Sequence, residues 1–90
     1  MDNIKVLLVD DHQIIRDGIR SLLSYAEGIE VVGECSDGLE AISCAVSEKP
    51  DVILMDINMP KINGIDATKT IITDNPDSKI LVLTVHDELA

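Results

Sequence analysis

The sequence predicts an α/β domain in which helices cover both faces of a parallel β-sheet, a three-layer arrangement. Short runs of branched apolar residues alternate along the 90-residue chain with segments whose apolar residues recur at helical spacing. The resulting order is β-α-β-α-β-α-β, which implies parallel strands joined by right-handed crossovers. The third apolar run is continuous, as expected for a strand that is buried on both faces.

The first two strands flank an amphipathic helix. Strand one is predicted over Ile4–Val9 and is followed by the acid pair Asp10 and Asp11, and strand two is predicted over Ile29–Cys35. The helix between them is expected to end at Glu27-Gly28, since glycine commonly terminates helices. Its apolar stripe, predicted to face the core, consists of Ile14, Ile15, Gly18, Ile19, Leu22 and Leu23.

Helix two is predicted to start at residues 36–38, where a serine or an aspartate can cap it, and to stop at Lys49-Pro50. The third strand, Val52–Asp56, then delivers a carboxylate to its carboxyl end. The residues predicted to form the buried face of helix two are Leu39, Ile42, Ala45 and Val46.

Helix three is predicted to begin near Gly64 and to end before Asn75-Pro76. Strand four is predicted over residues 80–83 and leads into Thr84. The residues expected on the buried side of helix three are Ile65, Thr68, Ile71 and Ile72.

Composition narrows the function classes. Seven basic and seventeen acidic residues give a net charge of −10, which argues against direct binding of this chain to nucleic acid or to acidic membranes. The two cysteines are too few for a disulfide framework or a zinc site and are expected to be free thiols. With no signal-peptide pattern and no run of membrane-spanning length, we expect a cytoplasmic protein.

Four polar residues stand at the carboxyl ends of predicted strands: Asp10, Asp11, Asp56 and Thr84. Because the carboxyl ends of parallel strands share one edge, these side chains are expected to converge there. Three converging carboxylates repel one another, and Mg²⁺, which prefers oxygen ligands, relieves that repulsion. A solvated acidic rim without an ion is the alternative that the residues alone leave open.

Three sequence segments carry a resemblance to a known family. They are VLLVDDH at positions 6–12, DVILMDINMPKINGIDA at positions 51–67 and VLTVHD at positions 82–87. Together they resemble the receiver domain of bacterial two-component response regulators, in the subfamily whose receiver precedes a helix-turn-helix DNA-binding domain. The resemblance implies a flavodoxin-like fold with strand order 2-1-3-4-5.

The resemblance also implies roles for individual residues. Asp56 would accept a phosphoryl group from the phosphohistidine of a sensor histidine kinase. Asp11, Asp56 and the backbone carbonyl of Asn58 would bind Mg²⁺ directly, and Asp10 would bind it through a water molecule. Thr84 would hydrogen-bond a phosphoryl oxygen. Asn58 and His86 would influence the lifetime of the phosphate, and Pro60 and Gly64 would shape the loop.

A receiver of this family would continue beyond the fourth strand, so the resemblance implies that residues 1–90 are the N-terminal portion of a receiver without its output domain. An exposed fourth strand would favour self-association, and a self-associating fragment is one alternative function. Another is a Mg²⁺-dependent phosphohydrolase with an Asp nucleophile. Such enzymes typically place a D-x-D pair on the nucleophile strand, whereas Asp10 and Asp11 are adjacent and Asp56 stands alone. We therefore expect a phosphoacceptor module rather than an enzyme.

Overall fold

The computed structural model describes residues 3–56 and 64–83, which form a four-stranded parallel sheet in the order β2-β1-β3-β4. Its elements are β1 (Ile4–Val9), α1 (Gln13–Leu23), β2 (Ile29–Cys35), α2 (Gly38–Glu48), β3 (Val52–Asp56), α3 (Gly64–Asp74) and β4 (Lys79–Leu83). The strand order agrees with the flavodoxin-like arrangement that the resemblance implies, so the predicted fold class is confirmed. Only the start of β4 differs from the expected strand bounds, by one residue.

The hydrophobic core lies between the sheet and the helices α2 and α3. Alternate residues of the two central strands point to this side, because successive side chains of a strand face opposite directions. The buried residues of this core are Leu7, Val9, Cys35, Ala41, Ala45, Ile53, Met55, Ala67 and Ile71. The two helices also contact each other, and together they form one complete layer on this face.

Helix α1 lies on the opposite face of the sheet, where it contacts β2. Glu34 of β2 binds two arginines of α1, whereas the next residue, Cys35, belongs to the α2–α3 core. Val6 and Leu8 of β1 are buried on the α1 side, at 5% and 1% exposure. The described residues thus form three layers, with α1 alone on one side of the sheet.

The pairing of β1 with β2 contains an irregularity that positions the end of β2. Val6 pairs with Val31, but Leu7 pairs with Gly33, so one residue of β2 is left out of the register. A Cβ atom at Gly33 would lie 3.1 Å from Leu7 Cδ1, closer than ordinary van der Waals contact. Glycine therefore leaves room for a core leucine, and the shifted register sets Cys35 beside Val9.

The end predicted for helix one is wrong by four residues, since α1 ends at Leu23 rather than at Glu27-Gly28. The next residue still donates to the carbonyl of Arg20, at 3.0 Å, but residues 25 and 26 make the tighter bonds of turns, to residues 22 and 23. Gly28 instead serves the turn into β2, with a φ of 82° that favours glycine.

The predicted buried faces of the helices are wrong at seven positions. In α1, Ile14 and Leu22 are 86% and 73% exposed and Gly18 is exposed as well, because no second helix among residues 3–56 and 64–83 packs beside α1 on its face of the sheet. In α2 and α3, the exposed members of the predicted faces are Leu39, Val46, Ile65 and Ile72. Small residues, Ala41 and Ala67, are buried where these helices meet the sheet.

None of the helices in the described ranges has the length and apolar character needed to cross a lipid bilayer.

Candidate metal centre at the carboxyl edge of the sheet

The two central strands bring their terminal acids to the same edge of the sheet. Val9 of β1 lies in register with Met55 of β3, so the residues that follow them, Asp10 and Asp56, are neighbours across the strand pair. Both aspartates are buried, at 4% and 5% exposure. Burying two carboxylates is costly unless a cation or hydrogen bonds compensate them, which marks this edge as a candidate binding site.

Four side chains converge at this edge: Asp10, Asp11, His12 and Asp56. Each offers one ligand atom, and these atoms all lie within 4.8 Å of one another. Three of the four are carboxylates, the ligand type that hard divalent cations such as Mg²⁺ prefer. The donor set therefore fits the magnesium ion that the sequence predicts.

His12 is held against the acid pair at the start of α1. Its backbone N–H donates to Asp10 Oδ1 at 2.8 Å, and its Nδ1 lies 2.9 Å from the same oxygen and 3.0 Å from Asp11 Oδ1. The hydrogen bond to Asp10 and the charge of Asp11 raise the pKa of His12 above its usual value of 6.5. The carboxylates that would bind a metal ion therefore also stabilise the protonated form of the His12 imidazole.

The backbone of Asp10 is held from two sides. Its N–H donates to the carbonyl of Cys35 in β2 at 3.0 Å, and its carbonyl accepts from Arg16 Nη1 of α1 at 2.5 Å. Arg16 Nε also donates to Glu34 Oε1 at 3.3 Å. Because Glu34 in turn pairs with Arg20, this network anchors α1 to β2 directly behind Asp10.

Sequence reasoning did not identify Arg16 or Glu34 as part of this region. The available signal was the spacing of Arg16 and Arg20, which lie four residues apart and therefore share one face of α1. That face carries charge beside the predicted apolar stripe, but nothing local to α1 indicates the acid on β2 that both arginines contact.

The structure brings three predicted site residues together, Asp10, Asp11 and Asp56. Two others, Asn58 and Thr84, lie outside the described residues, as do Pro60 and His86. Of the backbone near Thr84, the structure describes Leu83, which lies in register with Asp56. The end of β4 is therefore next to the end of β3, at the edge that carries the acid cluster.

In doubly wound parallel sheets ligands bind at the carboxyl edge, and this sheet carries its buried acids there. Comparison with known families identifies the domain, since the family described as response regulator receiver domain matches residues 6–90. The chain belongs to this family. Membership favours the receiver reading over the phosphohydrolase alternative.

Curated relatives agree with this assignment. The chain is 45% identical over 87 residues to the transcriptional regulatory protein DegU of Brevibacillus brevis, covering 97% of this chain and 37% of DegU. It is 49% identical over 85 residues to the response regulator UvrY of Escherichia coli, covering 94% of this chain and 39% of UvrY. The chain thus spans about two fifths of the length of these relatives.

Solved structures share the fold. The response regulator domain of Thermotoga maritima CheB superimposes with a TM-score of 0.85 at 39% identity, over 91% of this chain and 60% of that one. A two-component response regulator of the LuxR family from Aurantimonas superimposes with a TM-score of 0.88 at 36% identity, over 96% and 61%. Both similarities span nearly the whole chain, so they concern the domain and not a local motif.

Proposed function

We propose that Asp56 accepts a phosphoryl group from a phosphohistidine of a sensor histidine kinase. The observation that carries the proposal is the position of Asp56, a buried carboxylate at the end of a central strand with the acid pair Asp10 and Asp11 beside it. Family membership supports the same role, because receiver domains of response regulators interact with sensor histidine kinases.

In the proposed reaction a carboxylate oxygen of Asp56 attacks the phosphorus atom. A P–O bond forms while the P–N bond to the donor imidazole breaks, and the nitrogen keeps the electron pair and takes up a proton. The product is an acyl phosphate, which is reactive enough to serve as a transient signal. The rigid parallel strands on which the acids stand would hold Asp56 in place for this attack.

Asp11, Asp56 and the backbone carbonyl of Asn58 would bind Mg²⁺ directly, and Asp10 would bind it through water. The ion would neutralise the carboxylates and the oxygens of the incoming phosphoryl group. Thr84 would hydrogen-bond a phosphoryl oxygen. These assignments follow the family's pattern and are supported by the convergence of the three aspartates within 4.8 Å.

The acceptor assignment is tested by intact-mass analysis after incubation with acetyl phosphate and Mg²⁺. The unaltered protein should gain one phosphate, and Asp56→Asn should gain none, because an amide is a poor nucleophile. Asp74→Asn is the matched control, since Asp74 is an exposed aspartate at the end of α3. Equal labelling of the Asp56→Asn variant would show that another residue accepts the phosphate.

The ligand assignment is tested by calorimetric titration of Mg²⁺ in the absence of a phosphodonor. Asp11→Ala should weaken binding about tenfold or more, because it removes a charged oxygen ligand from a weak site. Asp77→Ala, which alters an exposed acid outside the cluster, should bind as the unaltered protein does. Identical affinities for all three proteins would place any bound ion elsewhere.

The phosphoacceptor module would act as a signalling protein rather than as an enzyme, and it would control transcription through an output domain. Support comes from the relatives, which include the transcriptional regulatory protein DegU. In such a protein DNA binding would fall to the output domain, because this chain carries a net charge of −10 and would be repelled by DNA. A cytoplasmic location is supported by the two cysteines, which are both free.

Self-association is proposed from β4, the edge strand of the described sheet. Two of its residues expose apolar side chains, Leu81 at 57% and Val82 at 49%, and they lie on opposite faces of the sheet. An exposed apolar edge is a template for pairing with a second copy, across a two-fold axis. Light scattering behind size exclusion should detect a dimer that Leu81→Lys weakens.

A matched control for this experiment is Leu22→Lys, which places the same charge on an exposed leucine of α1. It should leave the dimer intact. A monodisperse monomer in the unaltered protein, or equal weakening by both variants, would contradict pairing through β4.

A further inference from the structure

His12 lies in the acid cluster, but neither the fold nor the proposed phosphoryl transfer accounts for its side chain. It is the N-cap residue of α1 and has an extended backbone, yet its side chain makes no capping hydrogen bond to the helix. Its Nδ1 instead lies 2.9 Å from Asp10 Oδ1 and 3.0 Å from Asp11 Oδ1. The imidazole therefore faces two carboxylates of the candidate metal centre, and this position calls for a separate explanation.

We propose that His12 is a nitrogen ligand of the metal centre, which adapts the site to imidazole-binding divalent transition ions such as Ni²⁺ and Zn²⁺. This inference rests on the metal site of the proposed function, to which it adds a fourth side chain. A ring nitrogen of His12 belongs to a group of ligand atoms that all lie within 4.8 Å of one another, with those of Asp10, Asp11 and Asp56.

The spacing of the ligand atoms fits coordination of one ion. Metal–ligand bonds of about 2.1 Å that meet at right angles separate neighbouring ligand atoms by about 3 Å and opposite ones by about 4.2 Å. His12 Nδ1 stands at the shorter of these separations from Asp10 Oδ1 and from Asp11 Oδ1. A group whose members all lie within 4.8 Å therefore needs only small movements to surround an ion.

The imidazole is also accessible from solvent. The His12 side chain is 60% exposed, whereas that of Asp10 is 5% exposed, so an ion reaches the ring without opening the core. The lone pair of Nδ1 becomes available to the ion once the proton on this nitrogen has moved to Nε2 or to water. The backbone N–H of His12 donates to Asp10 Oδ1 at 2.8 Å, and this bond keeps the residue beside the site in either state.

The choice of ion follows from the chemistry of the ligands. Mg²⁺ prefers oxygen ligands and keeps several of its waters, so an imidazole contributes little to its binding. Imidazole nitrogen suits zinc, copper and nickel ions, which also bind carboxylates. Because Asp11 and Asp56 would serve both classes of ion, Ni²⁺ and Mg²⁺ should compete for one site. His12 would then favour the transition ion in that competition.

Calorimetric titration of Ni²⁺ and of Mg²⁺, into protein without a histidine tag, tests the role of His12. His12→Gln should bind Ni²⁺ about tenfold or more weakly, since the loss of groups that merely support a ligand already costs about 10–100-fold in affinity. Its affinity for Mg²⁺ should change little. Added Mg²⁺ should lower the apparent affinity of the unaltered protein for Ni²⁺. Equal weakening of both ions in His12→Gln, or an unchanged Ni²⁺ affinity, would overturn the proposal.

The second histidine of the chain supplies a matched control. His86→Gln should bind Ni²⁺ as the unaltered protein does, and a loss confined to this variant would overturn the proposal. Zn²⁺ is diamagnetic, so nuclear magnetic resonance gives a direct readout. Zn²⁺ should shift the imidazole resonances that are missing from the spectrum of His12→Gln. Circular dichroism melts establish that both variants are folded.

A third variant separates this proposal from the proposed function. Asp11→Ala should weaken the binding of Ni²⁺ as well as that of Mg²⁺, because both ions would use this carboxylate. An unchanged Ni²⁺ affinity in Asp11→Ala would show that His12 binds the ion apart from the acid cluster, which would overturn the proposal. Failure of the unaltered protein to bind either ion would contradict the proposed metal site itself. Binding of Mg²⁺ together with Ni²⁺ binding that ignores His12→Gln would contradict only the role of His12.

Discussion

The contact between Arg16 and the backbone of Asp10 yields a quantitative prediction. Arg16 is only 15% exposed, and its guanidinium binds both the Asp10 carbonyl and Glu34. The substitution Arg16→Met keeps most of the aliphatic length of the side chain and removes these hydrogen bonds. Arg20→Met is the matched control, because Arg20 shares the partner Glu34 but has no bond to Asp10.

The magnitude follows from the bonds that each variant loses. A hydrogen bond from a charged donor contributes about 1.5–3 kcal/mol, and the Asp10 carbonyl would be left without this donor. We therefore expect Arg16→Met to lower the free energy of unfolding by about 2 kcal/mol, a large share of the roughly 5–15 kcal/mol typical of a domain. Arg20 is 51% exposed, and water screens its ion pairs, so Arg20→Met should destabilise the protein much less than Arg16→Met.

Thermal unfolding monitored by circular dichroism measures this difference. At about 4–8 °C per kcal/mol for a domain of this size, Arg16→Met should lower Tm by roughly 8–16 °C and Arg20→Met by less than half as much. Mg²⁺ titration adds a functional readout, since loss of a group that orients a metal ligand typically weakens affinity about 10–100-fold. Equal effects of the two variants on both Tm and Mg²⁺ affinity would refute the idea that Arg16 positions Asp10.

Two further predictions concern the helices α2 and α3. Ile71→Ala should destabilise the protein by about 2–5 kcal/mol because the Ile71 side chain is fully buried, whereas Ile72→Ala, at a half-exposed neighbour, should cost far less. Chemical denaturation measures both losses, and similar losses would contradict the observed orientation of α3. Asp37→Ala should lower the free energy of unfolding by about 0.5–2 kcal/mol, because the Asp37 side chain caps α2 by accepting a hydrogen bond from the Glu40 N–H at 2.9 Å. Asp37→Asn should retain most of that stability, and equal losses in the two variants would mean that the cap contributes little.

The strands were largely predictable from the sequence. The runs Ile4–Val9, Ile29–Cys35 and Val52–Asp56 are short, apolar and bounded by turn residues, so their limits depend on local chemistry, and the structure reproduces them. The edge that collects Asp10 and Asp56 was predictable as well, because parallel strands impose it. The order of the strands required the family resemblance, since local patterns do not specify which strands are neighbours.

The buried faces of the helices were less predictable, because hydrophobicity alone does not rank apolar residues by depth. In α2 the prediction correctly included Ala45, but it also included Leu39 and Val46, both of which are more than half exposed, and it omitted Ala41, which is fully buried. Small side chains permit close approach, and α2 must contact both the sheet and α3. The burial of each side chain therefore depends on the space between the layers. The sequence of a single helix does not contain that information.

The backbone of Asp10 is positioned by contacts that no local pattern contains. Its N–H is held by Cys35 at the end of β2, its carbonyl by Arg16 on α1, and its carboxylate accepts the N–H of His12. These partners come from three parts of the chain, and the bond from β2 follows from the register in which Cys35 lies beside Val9. With both backbone groups and one carboxylate oxygen bonded within the protein, Asp10 is positioned before any ion arrives. An ion that binds beside Asp10 would therefore not have to organise this ligand's backbone, which lowers the ordering cost of binding.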